Sequence, residues 1–440
     1  MGSLLLVLAL APVLARPVEA RQGGDAVRLS VAEAVDLALK ASHRVGEYEA
    51  RADAAAGASA IRAASDKPIV NLIGGYTRTN HIDEFAIQLP GAPPRVIYPD
   101  VPDNWRSRFD VQWPVYTSGR VGALERAAQA EHDATTKDIS TVRADVRLDA
   151  ARAYWMLVTA TQTTAVVESA LTLVDAHLRD VRNLLGAGLV APNDVLTAEA
   201  IRSRQQVLLI ESRNARDVAD ADLHRATGIA PSTRIELVAA LEGPPPVVPA
   251  VDELLAEART GRTERQALQL RVDGVGQQRT AAAAGSKPVV SLGAGVDYAR
   301  PNNRIFPRAA AWNESWDVGV NVVWQIWDGG RVKADVAQAG AAERAARQRL
   351  AEFDTVLEFD VRQRQLDLTS AIAAIAASTA EVASATEARR VVAERFKAGV
   401  ASNTDVLDAQ QALLGAQLGR TRTLAAVKLA QARLDRALGR

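Results

Sequence analysis

The stretch WQIWDGGRVKADVAQA, Trp324 to Ala339, sets two sequence patterns end to end. Its first half alternates bulky apolar residues with polar ones, the period of a strand with one apolar face. After Gly329-Gly330 the second half is rich in alanine, the strongest helix former. A near copy, WPVYTSGRVGALERAA, occupies Trp113–Ala128. A chain that hands a strand straight to a helix twice invites a search for a repeated unit.

Two offsets define that unit. SVAEAV (Ser30–Val35) resembles AVDELL (Ala250–Leu255), and DKPIVNLIGGY (Asp66–Tyr76) resembles SKPVVSLGAGVDY (Ser286–Tyr298), both shifted by 220 residues. From the next strand onward the shift is 211: Trp105 matches Trp316, Trp113 matches Trp324, Arg120 matches Arg331, Gly188 matches Gly399 and Asp194 matches Asp405. The nine-residue difference falls between Tyr76 and Trp105, an interval that contains the proline-rich stretch PGAPPRVIYPDVPD, Pro90–Asp103. Matching Lys-Pro, Trp and Gly-Arg landmarks under one shift make the chain a tandem duplication. The expected units are residues 29–235 and 251–440, joined by a proline-rich linker, 236–250.

Each copy reads helix, strand, strand, long helix, helix. The first helix, roughly 44–66 and 256–285, must stop at Lys67-Pro68 and Lys287-Pro288, because proline lacks a backbone donor and forces its predecessor toward extended geometry. After Gly119, and again after Gly329-Gly330, the chain turns helical for a long run. A helix of about 65 residues is close to 100 Å long at 1.5 Å per residue. Two such rods require an elongated bundle.

Composition narrows the function. The 52 basic and 52 acidic residues cancel, which argues against a nucleic-acid partner, since that needs a cationic surface. No cysteine occurs, so disulfides and thiolate metal sites are excluded. The apolar run Leu4–Leu14 is too short to span a bilayer, which takes about 20 residues. With small residues after it, the run predicts a signal peptide over 1–20, although no basic residue precedes it. No later run reaches spanning length free of charges, which argues against an ordinary helical membrane protein. The five histidines (His43, His81, His132, His177, His224) are scattered without metal-ligand spacing or a nucleophile motif, so neither catalysis nor a cofactor or metal is expected.

In the strands, Val290, Leu292, Ala294, Val296 and Tyr298 share one face, with Ser291, Gly293, Gly295 and Asp297 on the other. Trp316, Val318, Val320, Val322, Trp324 and Ile326 oppose Asp317, Gly319, Asn321 and Gln325. Copy one sets Phe109, Val111, Trp113 and Val115 against Arg108, Asp110 and Gln112. Strands near ten residues, apolar on one side only, suit a transmembrane barrel wall; a sheet with one face on a soluble core has the same pattern. Aromatics at strand ends (Tyr76, Trp105, Trp113, Tyr298, Trp316, Trp324, Trp327) fit interfacial girdles. Only four strands are available, and four leave two edges that lipid does not tolerate. A barrel therefore needs several chains, and three supply twelve strands.

The duplicated helix–hairpin–helix unit resembles the TolC-type outer-membrane efflux proteins of Gram-negative bacteria over roughly residues 29–440. The likeness rests on LSVAEAVDLAL, both Lys-Pro strand starts (Pro68, Pro288), WQIWDGGR, and two tips, GAGLVAPNDVLTAEA (Gly186–Ala200) and KAGVASNTDVLDAQQALL (Lys397–Leu414). It implies a homotrimer with a twelve-stranded barrel in the outer membrane and a helical tunnel through the periplasm. It also implies a periplasmic adaptor and an inner-membrane RND or ABC transporter as partners. The expected role is the exit duct of a tripartite efflux or type I secretion system, for drugs, metals, small toxic molecules or proteins. A soluble periplasmic scaffold or adaptor is the competing expectation.

By the same resemblance Asp405 and Asp408, three residues apart on one helix face, narrow the periplasmic entrance. Threefold repetition would make them a six-carboxylate ring. Asp194 is the first-copy counterpart of Asp405 and, like it, also suits a helix start. The turns Gly188-Leu189 and Gly399-Val400 correspond to the adaptor contact. Related channels carry a Tyr and an Arg before the second tip that lock the closed state; here Phe396 and Ala401 stand there, so closure needs other groups.

Overall fold

The computed structural model describes residues 27–440, so the signal-peptide expectation lies outside the described residues. The chain begins with β1 (Val27–Leu29), α1 (Val31–Ala41) and α2 (His43–Ala63). Then come β2 (Ile69–Arg78), β3 (Phe85–Ile87), β4 (Arg95–Tyr98) and β5 (Asp103–Tyr116), followed by the rod α3 (Arg120–Gly186) and its return α4 (Pro192–Thr227). After β6 (Ile235–Leu237) the second half supplies α5 (Val251–Gly261), α6 (Thr263–Ala283), β7 (Val289–Arg300), β8 (Asn313–Val323), α7 (Arg331–Lys397) and α8 (Asn403–Leu438). The duplication is visible in helix length: α1 and α5 have 11 residues each, α2 and α6 21, α3 and α7 67, α4 and α8 36.

Two sequence expectations need correction. The helix expected over 256–285 is two helices, because the backbone is extended at Arg262. Its guanidinium lies beside Glu264 and Asp360, while Arg436 of α8 reaches Glu264 and Asp145, so the break is filled by charge pairs. The strand expected to run through Ile326 stops at Val323. Val323 pairs with Val289, and the residue before Val289 is Pro288, which has no N–H with which to extend the ladder. Trp324 and Ile326 therefore lie beyond the sheet. The segment between β2 and β5 also holds the small hairpin β3–β4, which alternation did not reveal.

The main sheet has the order β2-β5-β7-β8, antiparallel throughout. Its register puts Leu72, Phe109, Val296 and Trp316 across from one another on the apolar face, and Ile73, Arg108, Asp297 and Ser315 on the polar one. The apolar face is largely uncovered: Leu72, Phe109, Trp316, Val318 and Val320 are all exposed.

The helices stack end to end with the sheet and share no single core. Clusters follow α3 in sequence: Val142 and Val146 with Val45, then Tyr154, Leu157 and Val158 with Leu223 and Leu424, then Val167 with Leu209 and Leu414, and last Leu178 and Val181 with Val195 and Leu407. Each buried aliphatic side chain contributes about 1.5–3 kcal/mol, so α3 is the spine on which α2, α4, α6 and α8 pack. Its repeat partner α7 is much barer, leaving Val356, Phe359 and Leu366 exposed. Both α3 and α7 contain an 18-residue stretch apolar enough to cross a membrane by length and composition, a property not captured by searching for charge-free runs.

At mid-height β1 pairs in parallel with β6, joining the start of the described chain to the inter-repeat segment. Tyr154, fully buried, donates its hydroxyl proton to the Leu29 carbonyl (3.0 Å) and accepts the Ala239 N–H (2.9 Å). Removing the hydroxyl leaves a buried donor and acceptor unpaired, at a cost of about 1–3 kcal/mol. Tyr154→Phe should therefore lower thermal stability, read by circular dichroism melting in detergent. An unchanged melting temperature would show that water reaches this junction.

Candidate functional site

Three places bear on passage through the molecule: the strand–helix junctions, the polar sheet face and the helix tips. At the junctions the chain turns through Gly119 (φ 81°) and Gly330 (φ 89°), left-handed positions that admit glycine without strain. Gly329 is left-handed as well. Asp328 accepts from Val332 N (2.8 Å) and Gly330 N (2.9 Å), capping α7, and these N–H groups hold its carboxyl below the usual range. Thr117, its repeat counterpart, accepts from Val121 N in the same way. The indole of Trp113 donates to the Asp66 carbonyl (2.8 Å), and that of Trp324 to Ser286 (3.1 Å). The same bond thus ties each strand end to the segment before its Lys-Pro, keeping Pro68 and Pro288 at the bend. Trp327 is exposed nearby.

Tyr76 and Trp105 pack together at the opposite end of the apolar face (4.4 Å between ring centroids), and Tyr298 stacks on Trp312 (5.0 Å). Trp316 is exposed on the same face. The predicted aromatics therefore separate into one group at the helix end and one at the loop end.

The polar face holds an ion-pair lattice that sequence reading did not assemble. Arg108 donates to Asp297 (2.5 Å), Asp317 (2.9 and 3.1 Å) and Asp110 (3.0 Å), and Arg106 donates to Asp297 (2.6 Å). Arg108 reaches Asp317 by crossing β7 over Gly295, where a Cβ would collide with its guanidinium. The alternation Arg108-x-Asp110-x-Gln112 gave the face. Asp297 and Asp317 come from β7 and β8, 189 and 209 residues from Arg108 in sequence, and needed the register.

At the tips, Gly188 (φ 72°) and Gly399 (φ 75°) end the rods. Leu189 N donates to Leu184 O and Val400 N to Arg395 O, which satisfies the last carbonyls and leaves the Leu189 and Val400 side chains exposed. Asp405 and Asp408 lie together on the exposed face at the start of α8. Asp405 is also a capping residue: its carboxylate accepts from Ser402 N (2.8 Å) while its N–H donates to Ser402 Oγ (3.1 Å). The Ser402 N–H, and after it the Ser402 hydroxyl, hold its carboxyl below the ordinary range. Asp194 likewise caps α4 by accepting from Ala191 N (3.2 Å).

A buried bridge joins the two tips. His177 Nε2 lies 2.8 Å from Asn403 Oδ1, and Asn403 Nδ2 donates to the Asp194 carbonyl (3.0 Å). Phe396 packs edge-on against the His177 ring (5.1 Å). The start of α8 is thereby tied to both helices of the first hairpin. Asp194 joins the second tip through its main chain rather than its carboxylate. Among the described residues no His/Cys/Asp/Glu group has metal-holding geometry.

The profile of the family described as outer membrane efflux protein matches residues 34–229 and 254–440. The chain belongs to that family. Protein CyaE of Bordetella pertussis is 26% identical over 400 residues, covering 88% of this chain and 79% of its own length. Among solved structures, the outer membrane protein VceC of Vibrio cholerae superposes with a TM-score of 0.78 at 19% identity, covering 93% of this chain and 96% of VceC. The open state of the MtrE outer membrane channel of Neisseria gonorrhoeae gives 0.76 at 16% identity, covering 93% and 88%. The chain is therefore an outer-membrane exit duct for tripartite efflux, not a soluble scaffold. Its sheet lies in the outer membrane and its rods in the periplasm. Members of the family are transport conduits that work with adaptors and inner-membrane transporters.

Two outcomes are expected at the tips. Asn403→Ala strands the His177 ring and the Asp194 carbonyl in a buried site, so hydrogen exchange across both tips should accelerate about tenfold, equivalent to about 1.4 kcal/mol. The second concerns pH. A depressed carboxylate pKa stabilises above the unfolded value of 3.8 and loses that contribution as pH falls through the folded value. Amide protection over 402–408 should thus persist at about pH 5 and fall only below about pH 4; loss near pH 5 would contradict the cap.

Proposed function

We propose that three copies of this chain close a twelve-stranded barrel and pass cargo delivered by an inner-membrane RND or ABC transporter through a periplasmic adaptor. The observation that carries this reading is the pair of unpartnered sheet edges, β2 and β8. Every backbone N–H and C=O in a bilayer needs a partner, and an open edge has none. A neighbour's β2 laid on β8 satisfies both, and threefold rotation closes the ring. The bareness of α7 supports the same reading, since Phe359 and Leu366 gain cover from a neighbouring rod. The two groups of aromatics act as girdles at the two membrane interfaces. The exposed apolar tips at Leu189 and Val400 suit an adaptor's contact.

Asp405 and Asp408 form the entrance ring, six carboxylates in the trimer, and Asp194 lies beside them as a cap. The His177–Asn403 bridge takes the place of the missing Tyr/Arg pair in holding the second hairpin on the first. Residues 1–20 act as the export signal, and 29–235 and 251–440 are the two repeats on either side of the 236–250 linker.

Two experiments test this. In detergent the protein should have a native mass about three times 46.9 kDa, and a monomer would overturn the barrel reading. In planar bilayers, block by hexamminecobalt(III) from the periplasmic side should weaken on the order of tenfold in Asp405→Ala/Asp408→Ala. Equal block in wild type and double variant would refute the entrance ring while leaving the trimer standing.

A further inference from the structure

The two ends of the duct differ in the charge they present, and the outer end runs against the acidic entrance. We infer that the outer mouth prefers anions and that Arg106 and Arg304 set this preference. The inference rests on the polar sheet face being the barrel lumen.

Four arginines meet three carboxylates there. Arg106 and Arg108 come from β5, while Arg304 and Arg308 come from the loop 301–312. The carboxylates are Asp110, Asp297 and Asp317. The loop is folded onto the polar face: Arg304 donates to the Trp316 carbonyl (2.7 Å) and to Asp317 (2.9 Å), and Arg308 donates to Asn104 (2.7 Å). Asn302 fixes its shape by donating to the Asn313 carbonyl and Ser315 Oγ while accepting the Arg304 N–H.

Exposure decides the sign. The side chains of Arg106 and Arg304 are 59% and 50% exposed, against 10% for Asp297, 13% for Asp110 and 33% for Asp317. Arg108, only 16% exposed, spends its donors on all three carboxylates. The acids are thus neutralised, and guanidinium edges remain on the surface. Among the described residues Arg106 donates only through Nε, to Asp297, so its two terminal nitrogens stay available. Together with Arg304, Asn303 and Thr77 they line a recess of about 410 Å³. Planar guanidinium forks recognise carboxylate and phosphate oxygens, and a low-dielectric wall strengthens the field they project into the lumen. Threefold repetition places six such groups around the mouth. Of the other loop's acids, Asp100 is bound to His81 and the Ile82 N–H, and Glu84 accepts the Asp100 N–H, both outside this lattice.

Inorganic tripolyphosphate added to the extracellular side of single channels in planar bilayers tests the assignment locally, away from the acidic entrance. Wild type should be blocked. R106Q/R304Q should need at least about tenfold more tripolyphosphate for equal block, whereas R106K/R304K, which keeps both charges, should stay close to wild type. Should the double glutamine variant fail to form trimers, R304Q alone, in the loop outside the sheet, should still weaken the block. No block of wild type, or equal block in trimeric wild type and glutamine variants, overturns the inference. Failure of the barrel reading itself looks different, because no trimer and no channel would form.

Discussion

A backbone amide in a bilayer has no water to turn to, and this chain carries a four-stranded sheet with two bare edges. Nearly everything else follows from that. In the proposed trimer other copies pair the edges and the rods below them meet other rods, while in the single protomer one half of the duplicated chain stays uncovered. The repeats are equal in helix length yet unequal in burial. The first rod, Arg120–Gly186, runs through four apolar clusters, while the second, Arg331–Lys397, buries little. Duplication supplies two equivalent hairpins, and the protomer gives them different neighbours.

Polar groups do different work at the two ends. At the helix tips they are capping and bridging groups whose hydrogen bonds fix two hairpins against each other, with Asn403 at the centre. On the sheet they form a lattice in which one buried arginine gathers three aspartates from three strands. A buried charge needs paired and hydrogen-bonded partners, and Arg108 meets that condition for the wall. The same arrangement leaves the exposed part of the polar face to other arginines.

Much of the fold was legible from residue order. The Lys-Pro stops, the glycine turns before each rod and the strand alternation all act locally, so they survive without any tertiary context. The break at Arg262 was not legible, because it depends on Arg436 and Asp360 arriving from α8 and α7. The end of the last strand was missed for a related reason: Trp324 and Ile326 continue the alternation, but pairing stops where the opposite strand reaches Pro288. For the candidate entrance, the spacing of Asp405 and Asp408 announced a shared helix face. The capping role of Asp405 was open, and geometry shows it alongside that face.

By itself the sequence determined the duplication, the rods and the one-sided strands, since each is written in periodicity and landmark spacing along the chain. Only the tertiary structure decided which charges neutralise one another and that His177 and His224 are buried, hydrogen-bonded packing residues. His177 and Asn403, like Arg108 and Asp317, are more than 200 residues apart. Their meeting depends on strand register and hairpin packing, and neither is encoded by any local pattern around the residues themselves.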